Sequence, residues 1–225
     1  MQSEKAAPGP LLSQLFDAER SVRRLHAEVA AHDSSALLDA IALAVEEAAA
    51  LKESEEMALR LVRLSDVLAD LHGPSVVDLL IRILGSEEPE ARHAAGEALE
   101  GLAFDRFKEV ALGIERALET LPAGNPSLSE LPYLLAEVPE PGVLKLLGMF
   151  LKHEDPEAVA AAIESLVEYG EPSGGALLAP LMKDTRQVQL EDDLGDDGKI
   201  TVGELATEAR EFLAELEKGG RPNHR

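Results

Sequence analysis

The chain has 225 residues and contains no cysteine. This length is enough to bury a hydrophobic core, and the lack of cysteine excludes disulfide frameworks, cysteine-ligated metals and thiol nucleophiles. The 43 acidic residues against 21 Lys and Arg give a formal net charge of −22, which should repel nucleic acid and anionic membranes. Because 45% of the residues are hydrophobic, the chain is too apolar for a disordered acidic segment, and we expect a folded, helix-rich protein.

The first ten residues contain a Pro-Gly-Pro sequence and no apolar run of the kind found in secretion signals. We expect residues 1–10 to be disordered, residues 11–218 to form a single domain and residues 219–225 to be a flexible tail. The missing signal predicts a cytoplasmic protein. The frequent alanine and the excess of arginine over lysine favour a bacterial one.

Apolar residues at three- and four-residue spacings predict three helices before residue 74. The first spans roughly residues 11 to 32, and the second follows the capping residues Asp33-Ser34-Ser35 and runs through Leu51. The third ends before Gly73-Pro74, because proline suits the start of a helix better than its interior. The stripes of the first and third helices are Leu12, Leu15, Phe16, Val22, Leu25 and Val29, and Met57, Leu61, Leu64, Leu68 and Leu71.

The sequence from residue 74 to 95 is repeated from residue 141 to 162. The two segments align without a gap at an offset of 67 residues, which is typical of a repeat array. Two further helices are predicted between the copies, Asp105–Leu121 and Leu128–Val138, so the offset corresponds to two helical hairpins. The matched apolar pairs are Val76/Val143, Leu79/Leu146, Leu80/Leu147 and Leu84/Leu151.

The first copy, from Val76 to Leu99, resembles the HEAT-like repeat. In that repeat an apolar first helix is followed by a turn and by a second helix that opens with arginine and an Ala-Ala pair, here Arg92 and Ala94-Ala95. The second copy keeps Asp155-Pro156-Glu157 but has Val159 at the position of the arginine. The resemblance implies an all-α fold, a right-handed α-solenoid of HEAT-like helical hairpins. A closed bundle is the alternative, since small alanines allow close helix packing in both architectures.

A curved helical stack would bind an extended partner along the concave surface formed by its second helices. We therefore expect a non-enzymatic scaffold or adaptor that binds another protein with a basic face, with no cofactor, metal, nucleic acid or membrane involved. The same glutamates would also serve solubility alone. The expected partner-binding residues are Arg92, Glu97, Glu100, Glu157, Glu164 and Glu168.

Two other functions remain open. An inhibitor or immunity-type protein that masks a basic enzyme would differ by having one tight, salt-sensitive partner. An enzyme or lyase subunit is the other, because HEAT-like arrays occur in bilin lyases and in a group of DNA glycosylases. The glycosylase function needs a basic, aromatic groove that this composition does not supply. The sequence has no nucleophile elbow, Walker loop, dinucleotide fingerprint or metal-binding histidine spacing, so we do not expect an enzyme.

Two structures compete for residues 184–206. Residues 193–204 match an EF-hand loop at five positions, although Gly195 replaces one ligand. In such a regulatory Ca²⁺ site the ligands would be Asp193, Asp197, the carbonyl of Lys199 and Glu204. Strand-period residues on both sides of a Gly-Asp-Asp-Gly turn predict a β-hairpin instead. The segments from Asp184 and from Thr201 also resemble the hairpin that some HEAT-like units carry before their second helix. We expect the hairpin.

Overall fold

The computed structural model describes residues 8–32, 34–190 and 198–219. This part of the chain is mostly helical, as predicted, with a small two-stranded antiparallel sheet. The helices are α1 (Pro8–Ala30), α2 (Ser34–Ala49), α3 (Ser54–Ala69), α4 (Pro74–Leu84), α5 (Pro89–Thr120), α6 (Pro126–Ala136), α7 (Val143–Phe150), α8 (Pro156–Tyr169), α9 (Gly175–Leu178) and α10 (Val202–Gly219). The strands are β1 (Gln187–Leu190) and β2 (Gly198–Thr201).

The helix ends differ from the predicted ones by a few residues. Helix α1 begins at Pro8, inside the segment that was predicted to be disordered, and α10 ends at Gly219. Residues 1–7 of that segment and residues 220–225 of the predicted tail lie outside the described residues. Proline stands in the first turn of α4, α5, α6 and α8, where its missing N–H removes no helical hydrogen bond.

The helices of the described chain contact one another in a regular order around a hydrophobic core. Helix α3 packs against α5, α5 against α6, α6 against α8, and α8 against α10. Adjacent helices also pair, α2 with α3, α4 with α5 and α7 with α8. Leu80 and Leu147, which are matched across the repeat, have no solvent exposure. The apolar positions that the two copies share are therefore core positions in both, as the repeat alignment predicts.

Helix α5 is bent at Arg106, whose φ of −141° and ψ of 47° lie outside the helical range. The bend falls at the predicted boundary between the second helix of the first copy and the helix Asp105–Leu121. The Arg106 guanidinium donates a hydrogen bond of 3.0 Å to the carbonyl oxygen of Leu71 and pairs with Glu109. The two predicted helices are thus both present and meet at this bend, which is tied to the loop between α3 and α4.

The predicted β-hairpin is present. Strands β1 and β2 pair antiparallel, with Val188 opposite Ile200. Val188 is buried and Ile200 packs against the core, while Val202 at the start of α10 has no exposure. Alternating apolar residues therefore place one face of the hairpin on the helices, which is the arrangement that the strand period predicts.

A close contact between α4 and α5 at Gly113 provides a test of the packing. A Cβ atom on Gly113 would lie 2.3 Å from Cγ1 of Val77, which is itself fully buried. We expect Gly113→Ala to lower the free energy of unfolding by about 1–3 kcal/mol, because Val77 has no space to move. Gly101→Ala on the same helix is the matched control, since nothing lies near its Cβ position. Urea unfolding should show stabilisation by up to about 1 kcal/mol for the control, and a stabilised Gly113→Ala chain would contradict the contact.

Candidate functional site

A groove of about 310 Å³ lies between α6, α8 and β1. Its α8 residues recur at the spacing that places side chains on one face of a helix. We call it the acidic groove, and it is lined by Ser129 and Tyr133 of α6, Glu157, Ala160, Ala161 and Glu164 of α8, and Val188 and Gln189 of β1. The two alanines leave space between the two glutamates, so the groove is open to a side chain from outside.

Tyr133 lies among the carboxylates of the acidic groove. Its hydroxyl donates a hydrogen bond of 2.5 Å to Oε2 of Glu164. Burial, this hydrogen bond and the negative charges of Glu164, Glu130 and Glu168 raise the pKa of Tyr133 well above its ordinary value of 10.0. Partial burial is the largest cause of this shift, and the three negative charges act in the same direction, because each of them opposes loss of the phenol proton.

The second glutamate of the groove contacts the hairpin. Oε1 of Glu157 accepts a hydrogen bond of 3.3 Å from the backbone N–H of Gln189. Glu157 also stands in the first turn of α8, where the helix dipole favours a negative charge. The hairpin therefore forms one wall of the acidic groove and is tied to the helix that carries both glutamates.

The structure brings three of the six predicted partner-binding residues together. Glu157 and Glu164 line the acidic groove, and Glu168 is close enough to act electrostatically on Tyr133. Glu97 and Glu100 lie on α5, on the other side of α6, and Glu97 forms an ion pair of 3.5 Å with His93. The predicted residues thus lie on two helices with α6 between them.

Arg92 has a structural role within its own repeat. Its Nη1 donates hydrogen bonds of 2.9 and 3.0 Å to the carbonyl oxygens of Ser86 and Glu87, in the loop before its own helix. These bonds pair two carbonyl groups of the loop that connects α4 to α5. The guanidinium of Arg92 holds a loop of its own repeat.

Arg186 plays the same role in the second copy. Val159, which replaces the repeat arginine there, is fully buried. The carbonyl oxygens of His153 and Glu154 lie 67 residues after those of Ser86 and Glu87, and Nη1 of Arg186 donates to both at 2.9 Å. The second copy therefore receives from the next segment of the chain the guanidinium that its own sequence lacks.

Asp184 orients the Arg186 side chain. Its carboxylate accepts hydrogen bonds from Nε and Nη2 of Arg186, the shortest of 2.7 Å, and from the Arg186 backbone N–H. The guanidinium hydrogen bond lowers the pKa of the Asp184 carboxyl below its ordinary value. The backbone N–H of Gly203 donates to the Asp184 carbonyl, which ties this pair to the start of α10.

The residues of the alternative Ca²⁺ site are only partly described. Asp193 and Asp197 lie outside the described residues, and Lys199 pairs with Gln189 in the sheet. Oε2 of Glu204 accepts hydrogen bonds from the backbone N–H and the hydroxyl of Thr201, and that hydroxyl accepts from the Glu204 N–H. This is a capping box at the start of α10, and its hydrogen bonds lower the pKa of Glu204. The glutamate that would complete the Ca²⁺ loop thus caps a helix.

Tyr133, Glu130 and Gln189 belong to the site but were not predicted from the sequence. The first two are three residues apart on α6, a spacing that places them on one helix face. Gln189 contacts Glu157 through its backbone N–H, and a sequence motif of side chains does not indicate such a contact. Only the packing of α6 and β1 against α8 brings these residues to the predicted glutamates.

Among the described residues, no helix is both long and apolar enough to cross a bilayer.

Comparison with known proteins gives little further information. No protein-family model matches the chain, and no curated protein matches it. It is similar to two engineered proteins with crystal structures from the Northeast Structural Genomics Consortium. The first is 19% identical, with 91% of this chain and 92% of that chain covered and a TM-score of 0.33. The second is 19% identical, with 88% and 92% covered and a TM-score of 0.32. Scores this low carry no argument about fold or function.

Proposed function

We propose that the chain is a right-handed α-solenoid of HEAT-like helical hairpins that acts as a cytoplasmic, non-enzymatic scaffold. The helix order supports this architecture, because α3, the first half of α5, α6, α8 and α10 would be the second helices of successive hairpins. Those helices contact one another in series. The equivalent hydrogen bonds of Arg92 and Arg186, to carbonyls 67 residues apart, also support a repeated unit.

The proposed ligand of this scaffold is a basic segment of another protein, bound at the acidic groove. The observation that carries the proposal is the hydrogen bond between Tyr133 and Glu164, in a group of three carboxylates that also includes Glu130 and Glu168. A lysine or arginine side chain between Glu157 and Glu164 would form charge-assisted hydrogen bonds and would contact the Tyr133 ring. Glu97 and Glu100 on α5 would extend the attraction along the same surface.

Binding fits the groove better than catalysis does. Glu164 accepts a hydrogen bond from a tyrosine whose pKa is raised, and Glu157 accepts one from the backbone of Gln189. The two carboxyl groups lie on one face of α8 with open space between them, which is the arrangement that recognition of a cation requires.

A labelled peptide rich in Lys and Arg tests the proposal by fluorescence anisotropy. We expect the double substitution Glu157→Gln/Glu164→Gln to weaken binding by at least about tenfold, because it removes two close charges from the proposed contact. The matched control is Asp39→Asn/Glu47→Gln, which removes the same charge from exposed positions on α2. Native binding should also weaken as salt rises.

The control separates a site from general attraction by an acidic protein. Equal weakening by the α2 control and the groove variant would show that net charge alone binds the peptide, and the proposal would fail. Binding without salt dependence would contradict an electrostatic contact. Duplex DNA should not bind, and retention of DNA in a gel shift at physiological salt would oppose the proposed partner class.

A further inference from the structure

Helix α1 carries an apolar stripe that the structure leaves open to solvent. Every residue of the helix from Pro8 to Leu25 is exposed, and partial burial begins only at His26, which forms a hydrogen bond of 2.8 Å with Asp70. Val29, one turn later, packs against the core. The exposed large apolar residues of α1 are Leu11, Leu12, Leu15, Phe16, Val22 and Leu25. The helix is therefore joined to the described chain near its C-terminal end, with its apolar face unpartnered.

The spacing along this stripe is that of a helix pair. The exposed positions of the stripe are separated by four, three, four and three residues, and they are Leu11, Leu15, Ala18, Val22 and Leu25; Val29 continues the spacing but packs against the core of its own chain. This alternation is the a/d pattern of a two-helix coiled coil, in which each apolar side chain inserts between residues of a facing helix. The small Ala18 at the middle of the stripe allows the two helix backbones to approach closely.

Helix α1 leaves more apolar surface open than a single folded chain usually does. Its exposed large apolar residues form a patch of roughly 500 Å², a size that marks an interaction surface, and four of them, Leu11, Leu15, Val22 and Leu25, lie on the stripe. A solvent-exposed helix gains little from propensity alone, and most helix stability in proteins comes from packing of an apolar face. An uncovered stripe of this size is a surface that a partner stabilises.

The charges of α1 favour a second copy of the chain as the partner that covers the stripe. Helix α1 has three carboxylates, Asp17, Glu19 and Glu28, and three arginines at positions 20, 23 and 24. It is neutral in a chain of net charge −22, so pairing through α1 adds no net charge repulsion at the contact itself. Arg20 and Arg23 form ion pairs with Asp17 and Glu19 within the helix, which leaves the stripe itself without charge.

The same charges favour an antiparallel arrangement of the two α1 helices. An antiparallel pair places Leu15 opposite Leu25 and Ala18 opposite Val22, so that each layer joins an a and a d position. The two acidic bodies, each attached near Val29, then lie about 27 Å apart along the helix axis. This separation exceeds three screening lengths at physiological ionic strength, whereas a parallel pair would place the bodies side by side.

We propose that the chain forms a homodimer through antiparallel pairing of the α1 helices along this stripe. Sedimentation equilibrium at physiological ionic strength should give twice the chain mass of 24.1 kDa. Leu15→Asp should weaken dimerisation by at least about tenfold, since it places a charge in a buried layer. Ser13→Asp adds the same charge to the opposite face of the helix and should leave the dimer in place.

Leu15 is exposed within the single chain, so its substitution should not unfold the helical domain, and far-ultraviolet circular dichroism of both variants checks this. A monomeric native chain, or a Leu15→Asp chain that dimerises as well as Ser13→Asp does, would overturn the proposal. Co-sedimentation of a monomeric native chain with phosphatidylcholine vesicles, lost in Leu15→Asp, would assign the stripe to a lipid surface and would overturn it too.

Engineered cysteines report the direction of the pair because the chain has none of its own. In the antiparallel pair the double variant Leu15→Cys/Leu25→Cys should form disulfide-linked dimers under mild oxidation, since these positions face each other across the pair. The single variant Leu15→Cys should not. Efficient cross-linking of the single variant would show a parallel pair and would overturn the antiparallel arrangement.

Discussion

Leu147→Asp is expected to unfold the chain or to remove most of its stability. Leu147 has no solvent exposure on α7 and belongs to the continuous core. An unpaired carboxylate at this position costs several kcal/mol, which is comparable with the 5–15 kcal/mol that stabilises a typical domain. Leu80→Asp should have the same effect, because Leu80 is the matched position of the first copy and is equally buried. Thermal melts by circular dichroism measure both variants.

Leu43→Asp is the control for this prediction. The substitution is the same, but Leu43 on α2 keeps 62% of its surface exposed, so the stability should change by less than about 0.5 kcal/mol. Leu147→Ala provides a milder test, with an expected loss of about 2–5 kcal/mol from the missing methyl groups and the cavity they leave. Unchanged melting of both aspartate variants would refute the repeat alignment, since that alignment places the two leucines in equivalent core positions.

Hydrophobic periodicity was sufficient to predict α1, α2, α3 and the hairpin because both signals are local. The three- and four-residue spacing that predicted α3 also places Leu61 and Leu68 in the core. The two-residue period around Val188 and Ile200 favoured the hairpin over a helix leading into a Ca²⁺ loop, and these residues face each other across the sheet. In each case neighbouring residues decide the periodicity, and the fold follows it.

Helix boundaries and the bend of α5 depend on distant contacts that no short window contains. Pro74 begins α4, whereas its counterpart in the second copy, Pro141, lies before α7, which begins at Val143. A Cβ on Gly142 would lie 2.5 Å from the ring of Phe107 in α5, so the turn is fitted to a residue far away in the chain. Arg106, at the bend, likewise bonds to the carbonyl of Leu71. Tertiary packing selects both conformations.

The candidate site was predictable only in part for the same reason. The glutamates on α8 are visible as a helical face in the sequence, whereas Tyr133 joins them through packing of α6. The capping box of Thr201 and Glu204 is different, since Thr-x-x-Glu before an apolar helix is a local signal that the sequence does carry. The competing EF-hand pattern assigned Glu204 to a loop, although its nearest hydrogen-bond partners lie within the helix start itself.

Arg186→Ala is the second substitution with a large expected effect, about 2–3 kcal/mol off the free energy of unfolding. The variant loses the charge-assisted hydrogen bonds to the carbonyls of His153 and Glu154 and leaves the Asp184 carboxylate without its guanidinium. Arg186→Lys should lose an intermediate amount, because an ammonium cannot reach both groups with a planar fork. Arg60→Ala is the control, since Arg60 pairs with Glu56 on an exposed helix face and should contribute less than about 0.5 kcal/mol.

The pH dependence of this loss distinguishes the hydrogen bonds that Arg186 makes with the Asp184 carboxylate from those that it makes with backbone carbonyls. Because the guanidinium lowers the pKa of Asp184 below its ordinary value of 3.8, the ionised carboxylate stabilises the native chain above that pH, and this contribution disappears as the pH falls through the lowered pKa. The carbonyl hydrogen bonds do not titrate with Asp184. The difference in unfolding free energy between the native chain and Arg186→Ala should therefore be larger at neutral pH than at the lowest pH where both chains fold, without vanishing there. Urea unfolding at both pH values measures the difference, and equal values would show that Asp184 does not act through its charge.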